Sequence, residues 1–347
     1  MIRRSRRWLG WWMAGCLLGN ACAVSGEPPP LRAADVLPAF DGAVAWLNTS
    51  EPITRELMHG QVALVVFWSY SNVHALRVLP IVQAWYERYR GHGLELVSVH
   101  SPEFPFEAVT ANVEASVRRL GVSFPVAVDS DRVLWTRFGC REWPSYYVAD
   151  PDGALLGFQM GAGREGEVEL YFRGLLEEDG RTMPPDVVVP SRSVPEQPEW
   201  SPEVLFGRRM SPRLASPQTV VFNEPRHYTS PTVLPVHSVA LQGVWRVEED
   251  RAIAWGTTCR MTVHYRAARC YLVAEGNVGD QLELRIDAGA VPASALGADG
   301  LVHDARSVVA LDFPRVYHIV DHGARLEDRT IEILVPRGVS LYAFTFG

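Results

Sequence analysis

The chain has 347 residues, 47% of them hydrophobic and 21% charged, which is typical of a globular protein with room for two domains. Its formal net charge of -7 does not indicate the excess of positive charge that nucleic-acid binding requires, so a nucleic-acid partner is not expected. All 33 positively charged residues are arginines, which excludes Schiff-base catalysis by lysine and the lysine of a phosphate-binding P-loop.

The N-terminus has the composition of an export signal. Arginines precede an uncharged apolar run over residues 8–18, and Ala21-Cys22-Ala23 is an A-x-A-like cleavage site. This pattern predicts a signal peptide over residues 1–23 and export to the periplasm or cell envelope. The residues around Cys16, and less clearly those around Cys22, also suit lipid attachment, so a lipoprotein is the alternative. Membrane contact is expected only through the signal or such an anchor.

After a predicted flexible lead-in over residues 24–38, strand and helix patterns alternate. The run from Val62 to Trp68 is apolar at every position, as in a strand buried on both faces of a sheet. The predicted strands cover residues 40–47, 62–68, 94–101, 124–129, 145–148 and 154–160, and the predicted helices cover residues 53–60, 73–90, 106–120, 131–139 and 164–178. Repeated strand–helix–strand units predict an α/β sheet with parallel pairs.

A proline-rich stretch over residues 181–200 predicts a semi-rigid linker. Beyond it, helical periodicity disappears and short alternating segments are separated by turn residues. These segments cover residues 238–247, 259–265, 270–274, 281–286, 307–311, 315–320, 330–335 and 340–346. Their rhythm predicts a β-sandwich or jelly roll over residues 201–347.

The turn that follows the buried strand, FWSYS, leads into a helix that either Ser71 or Asn72 can cap. This turn resembles the active-site turn of thioredoxin-fold proteins of the redoxin branch, which includes the TlpA-like proteins. Longer blocks resemble both domains of the DipZ-type exported proteins: WYERYRGHGLELVSVHSPEF, SPEVLFG, ALQGVW, RVYHIV, DRTIEI and YAFTFG. The resemblance implies a thioredoxin-like domain over residues 39–180, a β-sandwich like a carbohydrate-binding module, and a role in cell redox homeostasis.

The four positions that carry Cys-x-x-Cys in that family are Asn72, Val73, His74 and Ala75 here. Thiol–disulfide exchange needs an attacking thiolate and a second, resolving thiol, and neither asparagine nor alanine supplies one. We therefore expect a non-catalytic binding or scaffold protein of the envelope, with no cofactor and no metal.

The resemblance also implies that Pro144 is a cis-proline facing this turn. The surface expected to bind an envelope polypeptide is lined by Trp68, Tyr70, Asn72, His74, Trp143 and Pro144. His74 has two interpretations: it binds an anion or acts as a base at the helix N-terminus, or it is a solvated residue of the first turn.

The cysteines leave further alternatives. A thiol-disulfide oxidoreductase acting through Cys140, or through an external thiol of a redox partner, is the alternative to the non-catalytic protein, whereas the simpler interpretation packs Cys140 as a small hydrophobe. Cys259 and Cys270 are the candidate disulfide. A hairpin turn near Arg266 would, however, set them too far apart in register.

Three tryptophans of the predicted β-sandwich, Trp200, Trp245 and Trp255, suit either a platform for stacking on glycans or an ordinary core. The alternation pattern does not say which face each one occupies, so both interpretations stand.

Overall fold

The computed structural model describes residues 35–189 and 200–347. The predicted signal peptide, most of the predicted lead-in and the second half of the predicted linker lie outside these residues. Within the described ranges, no helix combines the length and apolar character needed to cross a membrane.

An α/β domain comes first in the described chain. Its strands are β1 (Ala45–Leu47), β2 (Val62–Trp68), β3 (Leu94–His100), β4 (Val126–Val128), β5 (Ser145–Ala149) and β6 (Leu155–Met160). Its helices are α1 (Arg55–Met58), α2 (Val73–Tyr89), α3 (Thr110–Leu120), α4 (Val133–Arg137) and α5 (Glu165–Glu178). The strands form one mixed sheet in the order β1-β4-β3-β2-β5-β6. β2, β3 and β4 run parallel, as predicted, and the remaining pairs are antiparallel.

The central strand β2 is buried on both faces, which confirms the prediction from its apolar run. Because side chains alternate along a strand, its residues divide between two cores. Leu64 and Val66 pack with residues of α2, α3 and α5, while Val65 and Phe67 pack with residues of α4.

The predicted helix over residues 106–120 begins later than expected. A 3-10 turn over Pro105–Ala108 precedes α3, and Val109 is extended between them, with φ -79° and ψ 111°. Pro105 suits this arrangement because proline is accommodated in the first turn of a helix. The loop between β3 and α3 therefore has its own fixed shape.

A β-sandwich, here the β-domain, follows. Its strands are β7 (Val204–Leu205), β8 (Pro225–Tyr228), β9 (Ser238–Val247), β10 (Ala252–Ala254), β11 (Cys259–Ala267), β12 (Arg269–Glu275), β13 (Gln281–Ile286), β14 (Gly289–Ala290), β15 (Gly300–His303), β16 (Arg306–Ala310), β17 (Arg315–Asp321), β18 (Glu327–Val335) and β19 (Ser340–Phe346). One layer has the order β15-β16-β13-β18-β11-β9, and the other has the order β9-β10-β19-β12-β17. β14 pairs with β13, β7 with β19 and β8 with β9.

Strand β9 belongs to both layers. Its first half pairs with β11 and its last residues pair with β10. Between them lies Gly243, with a φ of 94°. A Cβ atom at this position would lie 2.6 Å from the carbonyl oxygen of Thr258, so the crossing requires glycine for both conformation and space.

The first half of the predicted linker is held against α5. Arg173 donates to two backbone carbonyls of residues 184–189, at 2.8 and 3.1 Å. The buried carboxylate of Glu169 accepts from the backbone N–H groups of Val188 and Val189, at 2.6 and 2.8 Å. This segment is therefore anchored to the α/β domain.

The two domains pack against each other beside the loop between β3 and α3. Tyr342 of β19 contacts the rings of Phe104 and Phe106 edge-on, with ring centroids 5.4 and 4.9 Å apart. Arg119 of α3 forms an ion pair with Asp299 of the β-domain at 3.2 Å. We call this contact region the domain junction. One hydrophobic cluster contains residues of both domains, so the junction continues the core of the α/β domain.

Candidate functional site

Two segments meet at one edge of the α/β sheet. We call residues 69–75 the helix corner and residues 141–144 the proline loop. Phe67, near the end of β2, pairs with Ser145, the first residue of β5, and this register places both segments at the same edge. The Trp143–Pro144 bond is cis, as the resemblance implies.

Asn72 is the N-cap of α2. Its Oδ1 accepts a hydrogen bond from the backbone N–H of Ala75 at 3.0 Å, and its Nδ2 donates to Oε2 of Glu103 at 3.0 Å. Ala75 is completely buried. The two positions that carry sulfur in the resembling family are thus occupied by a helix cap and a core residue.

His74 lies on the exposed side of the first turn of α2, whereas Val73 packs into the core. Removal of part of the ring's hydration by neighbouring groups, and the Arg77 guanidinium, lower the pKa of His74. The imidazole is therefore mostly neutral at pH 7. This placement fits the simpler of its two interpretations, a solvated residue of the first turn.

The structure shows a carboxyl network that sequence reasoning missed. Glu107 is fully buried and accepts hydrogen bonds from Ser69 Oγ at 2.9 Å, from the Ser71 N–H at 3.1 Å and from the Glu103 N–H at 2.7 Å. Burial, and then the nearby charge of Glu103, raise the pKa of Glu107 well above the usual carboxyl range. This carboxyl holds the helix corner to the loop after β3.

One signal in the sequence points to this network. β2 and β3 are parallel neighbours, and the carboxyl ends of parallel strands open onto the same edge of a sheet. Glu103 and Glu107 follow the end of β3, so they belong beside the turn that follows β2. What the sequence does not show is which of their atoms contact the corner.

Trp143 forms the surface next to Pro144. Its ring stacks on that of Trp135 with centroids 4.1 Å apart, and its Nε1 donates to the carbonyl oxygen of Ser101 at 3.1 Å. The Arg132 guanidinium lies over both rings, 4.7 Å from the Trp135 centroid and 5.3 Å from the Trp143 centroid. This stack places a cation and an aromatic edge beside the helix corner.

Three residues predicted to line the binding surface do not reach it. Trp68 is completely buried and donates from Nε1 to Ser98 Oγ at 3.2 Å. Tyr70 is 2% exposed and stacks on His100 with ring centroids 5.2 Å apart. Both side chains belong to the core, as does Pro144, because the strand end and the corner are covered by neighbouring loops. The surface that remains consists of Asn72, His74 and Trp143.

Cys140 is buried and its Sγ lies 3.3 Å from the Tyr147 hydroxyl. Burial raises the pKa of this thiol far above its usual value, so the thiolate is scarce at neutral pH. The surroundings are aromatic and aliphatic side chains of the core that includes Phe67. This packing fits the interpretation of Cys140 as a small hydrophobe.

The candidate disulfide between Cys259 and Cys270 does not form, because both thiols are free. The expected hairpin between their strands does not form either. β11, which begins at Cys259, pairs with β18 and β9, whereas β12 pairs with β17 and β19. The chain crosses from one layer of the sandwich to the other at Ala268.

The three tryptophans of the β-domain do not share one environment. Trp245 is completely buried and belongs to the sandwich core. Trp255 is 38% exposed, and the guanidinium of Arg246 lies 4.6 Å from its ring centroid. Trp200 is half-buried.

The mixed sheet, the helix corner and the facing cis-proline loop define a thioredoxin-like domain, here joined to a β-sandwich. Residues 201–347 match the family described as "Thioredoxin like C-terminal domain". The chain is 28% identical over 331 residues to Protein DipZ of Mycobacterium bovis, an alignment that covers 91% of this chain and 44% of DipZ. The chain belongs to the DipZ-type thioredoxin-like proteins, and it spans less than half the length of the DipZ relatives it matches.

Other relatives match a smaller part of the chain. The thiol-disulfide oxidoreductase YkuV of Bacillus subtilis is 32% identical over 126 residues, which cover 36% of this chain and 83% of YkuV. A thiol-disulfide isomerase structure from Corynebacterium glutamicum is 19% identical, with a TM-score of 0.38, and the match covers 41% of this chain and 96% of that chain.

Proposed function

We propose that this chain is a non-catalytic binding or scaffold protein of the cell envelope, in which the thioredoxin-like domain holds a polypeptide without exchanging disulfides. The proposal rests on the roles of the residues at the two positions that carry cysteine in the resembling family. Asn72 is committed to capping α2 and to Glu103, and Ala75 is buried in the core. Neither position supplies an electron pair on sulfur, so the exchange reaction has no nucleophile at the corner.

The exposed surface supports a polypeptide as the partner. Trp143 and the Arg132 guanidinium stacked above it combine aromatic area with a positive charge, a pairing that is enriched where proteins bind peptides. His74 and the amide of Asn72 add polar groups beside them. The location in the periplasm or envelope is part of the proposal and rests on the signal-like residues 1–23 and on the similarity to DipZ.

The alternative is a thiol-disulfide oxidoreductase, which is the activity in the name of YkuV. For this chain it would work through Cys140 or through an external thiol. The burial of Cys140 and its raised pKa both oppose that reaction, because attack on a disulfide requires an accessible thiolate.

An insulin-reduction assay with dithiothreitol as electron donor distinguishes the two functions. We expect the wild-type protein and Cys140→Ser to give only the background rate of dithiothreitol alone. The double variant Asn72→Cys with Ala75→Cys restores the spacing of the family motif, and we expect it to reduce insulin above that background. Wild-type turnover that disappears in Cys140→Ser would overturn the proposal in favour of the oxidoreductase.

A further inference from the structure

One loop of the β-domain is held in place by a single histidine. The loop covers residues 229–237, between β8 and β9. His264 of β11 belongs to the outward-facing set of its strand, since buried residues alternate with less buried ones along it. Its Nδ1 lies 2.7 Å from the carbonyl oxygen of Leu234 in the loop, and its Nε2 lies 2.7 Å from Oδ1 of Asp328 on β18. One imidazole ring therefore connects the loop to two strands of the sandwich.

Both ring nitrogens face groups that accept hydrogen bonds. A backbone carbonyl oxygen only accepts, and so does a carboxylate such as that of Asp328, whose side chain is 59% exposed. A neutral imidazole has one N–H, so it donates to one of the two oxygens and leaves the other without a hydrogen. Only the imidazolium, which has two N–H groups, makes both bonds at once. The arrangement is thus that of the charged form of His264.

The charged groups near His264 come from two strands and one turn. Asp328 of β18 is its direct partner, and Arg266, two residues further along β11, lies opposite Asp328 in the sheet register. Asp287, in the turn after β13, adds negative charge near the ring, and it forms an ion pair with Arg329 at 3.4 Å. The charge in direct contact with the imidazole is therefore negative.

The other groups around the ring carry no charge or bind elsewhere. Ser238 of β9 and Thr330 of β18 lie opposite His264 in the register, and both are uncharged. His237 is the only titratable residue of the loop, and its Nδ1 lies 2.7 Å from Ser201 Oγ. The backbone N–H of His237 donates to the carbonyl oxygen of His264 at 2.8 Å, so the end of the loop is attached to β11 without any charge. The middle of the loop, at Leu234, is what the ring of His264 holds.

The pKa of His264 is set by opposing effects. Loss of hydration lowers this pKa, whereas the hydrogen bonds with the Leu234 carbonyl and with Asp328 raise it, as does the negative charge of Asp328 and Asp287. The net result is a pKa above the ordinary value of 6.5. This direction agrees with the geometry, in which both ring nitrogens face acceptors.

We propose that His264 is a pH-sensitive clasp, a side chain whose charged form holds the middle of the loop against β11 and β18. When the ring loses its proton, either the bond to the loop or the bond to β18 is lost, and the connection between the two is broken. Val233, which is 78% exposed, and Leu234 lie in the segment that is then free to move. The clasp belongs to the β-domain, so it goes beyond the function proposed for the helix corner and does not depend on it.

The sign follows from proton linkage. A histidine whose pKa is higher in the closed loop than its ordinary value of 6.5 binds its proton more tightly there, so protonation favours closure. The contribution of the clasp is fully present below pH 6.5, and it is lost as the pH rises through the higher pKa of the closed form.

Titration of the histidine rings in the full chain is the first test. The NMR signal of the Hε1 proton of each histidine follows its protonation, and the signal absent from His264→Gln belongs to His264. We expect His264 to titrate above pH 6.5 in the wild type and at a lower pH in Asp328→Asn, which removes the adjacent negative charge. Titration of wild-type His264 at or below pH 6.5 would overturn the proposal.

Proteolysis of the loop in the full chain is the second test. Thermolysin cuts on the N-terminal side of Val233 and Leu234, and the rate of cutting follows the population of the open loop when opening and closing are fast. The rate is compared at about pH 6 and about pH 9, and each value is divided by that of a peptide with the sequence of residues 229–238. We expect a rise of about ten-fold for each pH unit by which the pKa of His264 exceeds 6.5. The rise should be smaller in Asp328→Asn and absent in His264→Gln.

The matched control is His227→Gln, which changes an exposed histidine of β8 just before the loop. It should keep the wild-type rise. Equal normalised rates at both pH values in the wild type, or an unchanged rise in His264→Gln, would overturn the clasp. Cutting within β11 that rises as much as cutting in the loop would also overturn it, because the whole layer would then be opening.

Discussion

At the scale of single residues, Asn72 stabilises the turn at which the resembling family carries a cysteine. Its oxygen caps α2 and its nitrogen holds Glu103, so one short amide joins the helix to the loop after β3. A helix cap satisfies a backbone N–H that has no partner within the helix. Asn72 therefore stabilises the helix corner through both ends of its amide.

We predict that Asn72→Ala lowers the free energy of unfolding by about 1–2 kcal/mol, because it removes the cap and leaves Glu103 without its amide donor. Urea denaturation followed by circular dichroism measures this loss. Asn72→Ser is the matched control: it keeps a capping oxygen and should lose less than Asn72→Ala. Equal losses in the two variants would contradict a role for the cap.

The reactivity of the three cysteines in the described chain also depends on the surroundings of each side chain. Cys140, Cys259 and Cys270 are 6%, 1% and 0% exposed, and burial raises the pKa of each thiol. We expect none of the three to react with iodoacetamide in the native protein near pH 8 and all three to react in guanidinium. Peptide mass mapping after the reaction assigns each site. Rapid native alkylation of Cys140 would instead favour the oxidoreductase.

At the scale of elements, β9 shows that a strand shared by two layers needs a particular backbone conformation where it changes layer. The strand serves two layers and turns between them at Gly243. Alternation of apolar and polar residues predicted the strand correctly, but the alternation is a local signal and says nothing of a change of layer within the strand.

We predict that Gly243→Ala destabilises the protein by more than about 1 kcal/mol, because the added methyl group meets the Thr258 carbonyl and the backbone has a positive φ. Gly279→Ala is the matched control, since Gly279 has nearly the same φ, 93°, with no atom within 4 Å of an added Cβ. Thermal unfolding should show a clearly larger loss for Gly243→Ala. Equal losses would mean that the crowding at Gly243 is relieved by a small shift.

At the scale of the whole molecule, the domain junction makes the two domains one packed body. Tyr342 inserts its ring against Phe104 and Phe106, and its hydroxyl donates to Glu275 and accepts from Arg251. Large aromatic side chains with anchored hydroxyls are the usual centres of stable interfaces. The β-domain therefore covers part of the hydrophobic core of the α/β domain and also has a core of its own.

Tyr342→Ala should divide a single calorimetric unfolding transition into two, with a loss of about 3–5 kcal/mol from the junction. Tyr342→Phe keeps the ring and removes only the hydroxyl, so we expect a smaller loss of about 1–2 kcal/mol and a single transition. Differential scanning calorimetry compares the two variants directly. A single transition in Tyr342→Ala would show that other contacts hold the domains together.

Much of the fold was accessible from local patterns. The observed bounds of β9, β13 and β19 are those predicted from alternation, and β2 is buried on both faces as its apolar run indicates. That positions 72 and 75 are asparagine and alanine rather than cysteine is evident from the amino-acid sequence alone. These features depend on residues close together in the chain, which is why a sequence without its structure determines them.

Other features were decided only by the tertiary structure. The aromatic side chains of Trp68 and Tyr70 would suit a binding surface, yet neighbouring loops bury both of them. Cys259 and Cys270 are close in sequence, yet their strands lie in different layers, whereas Phe104 and Tyr342 are far apart in sequence and meet at the domain junction. The physical reason is the same in each case: burial and long-range pairing depend on which distant elements pack together, and no local pattern of residues encodes that choice.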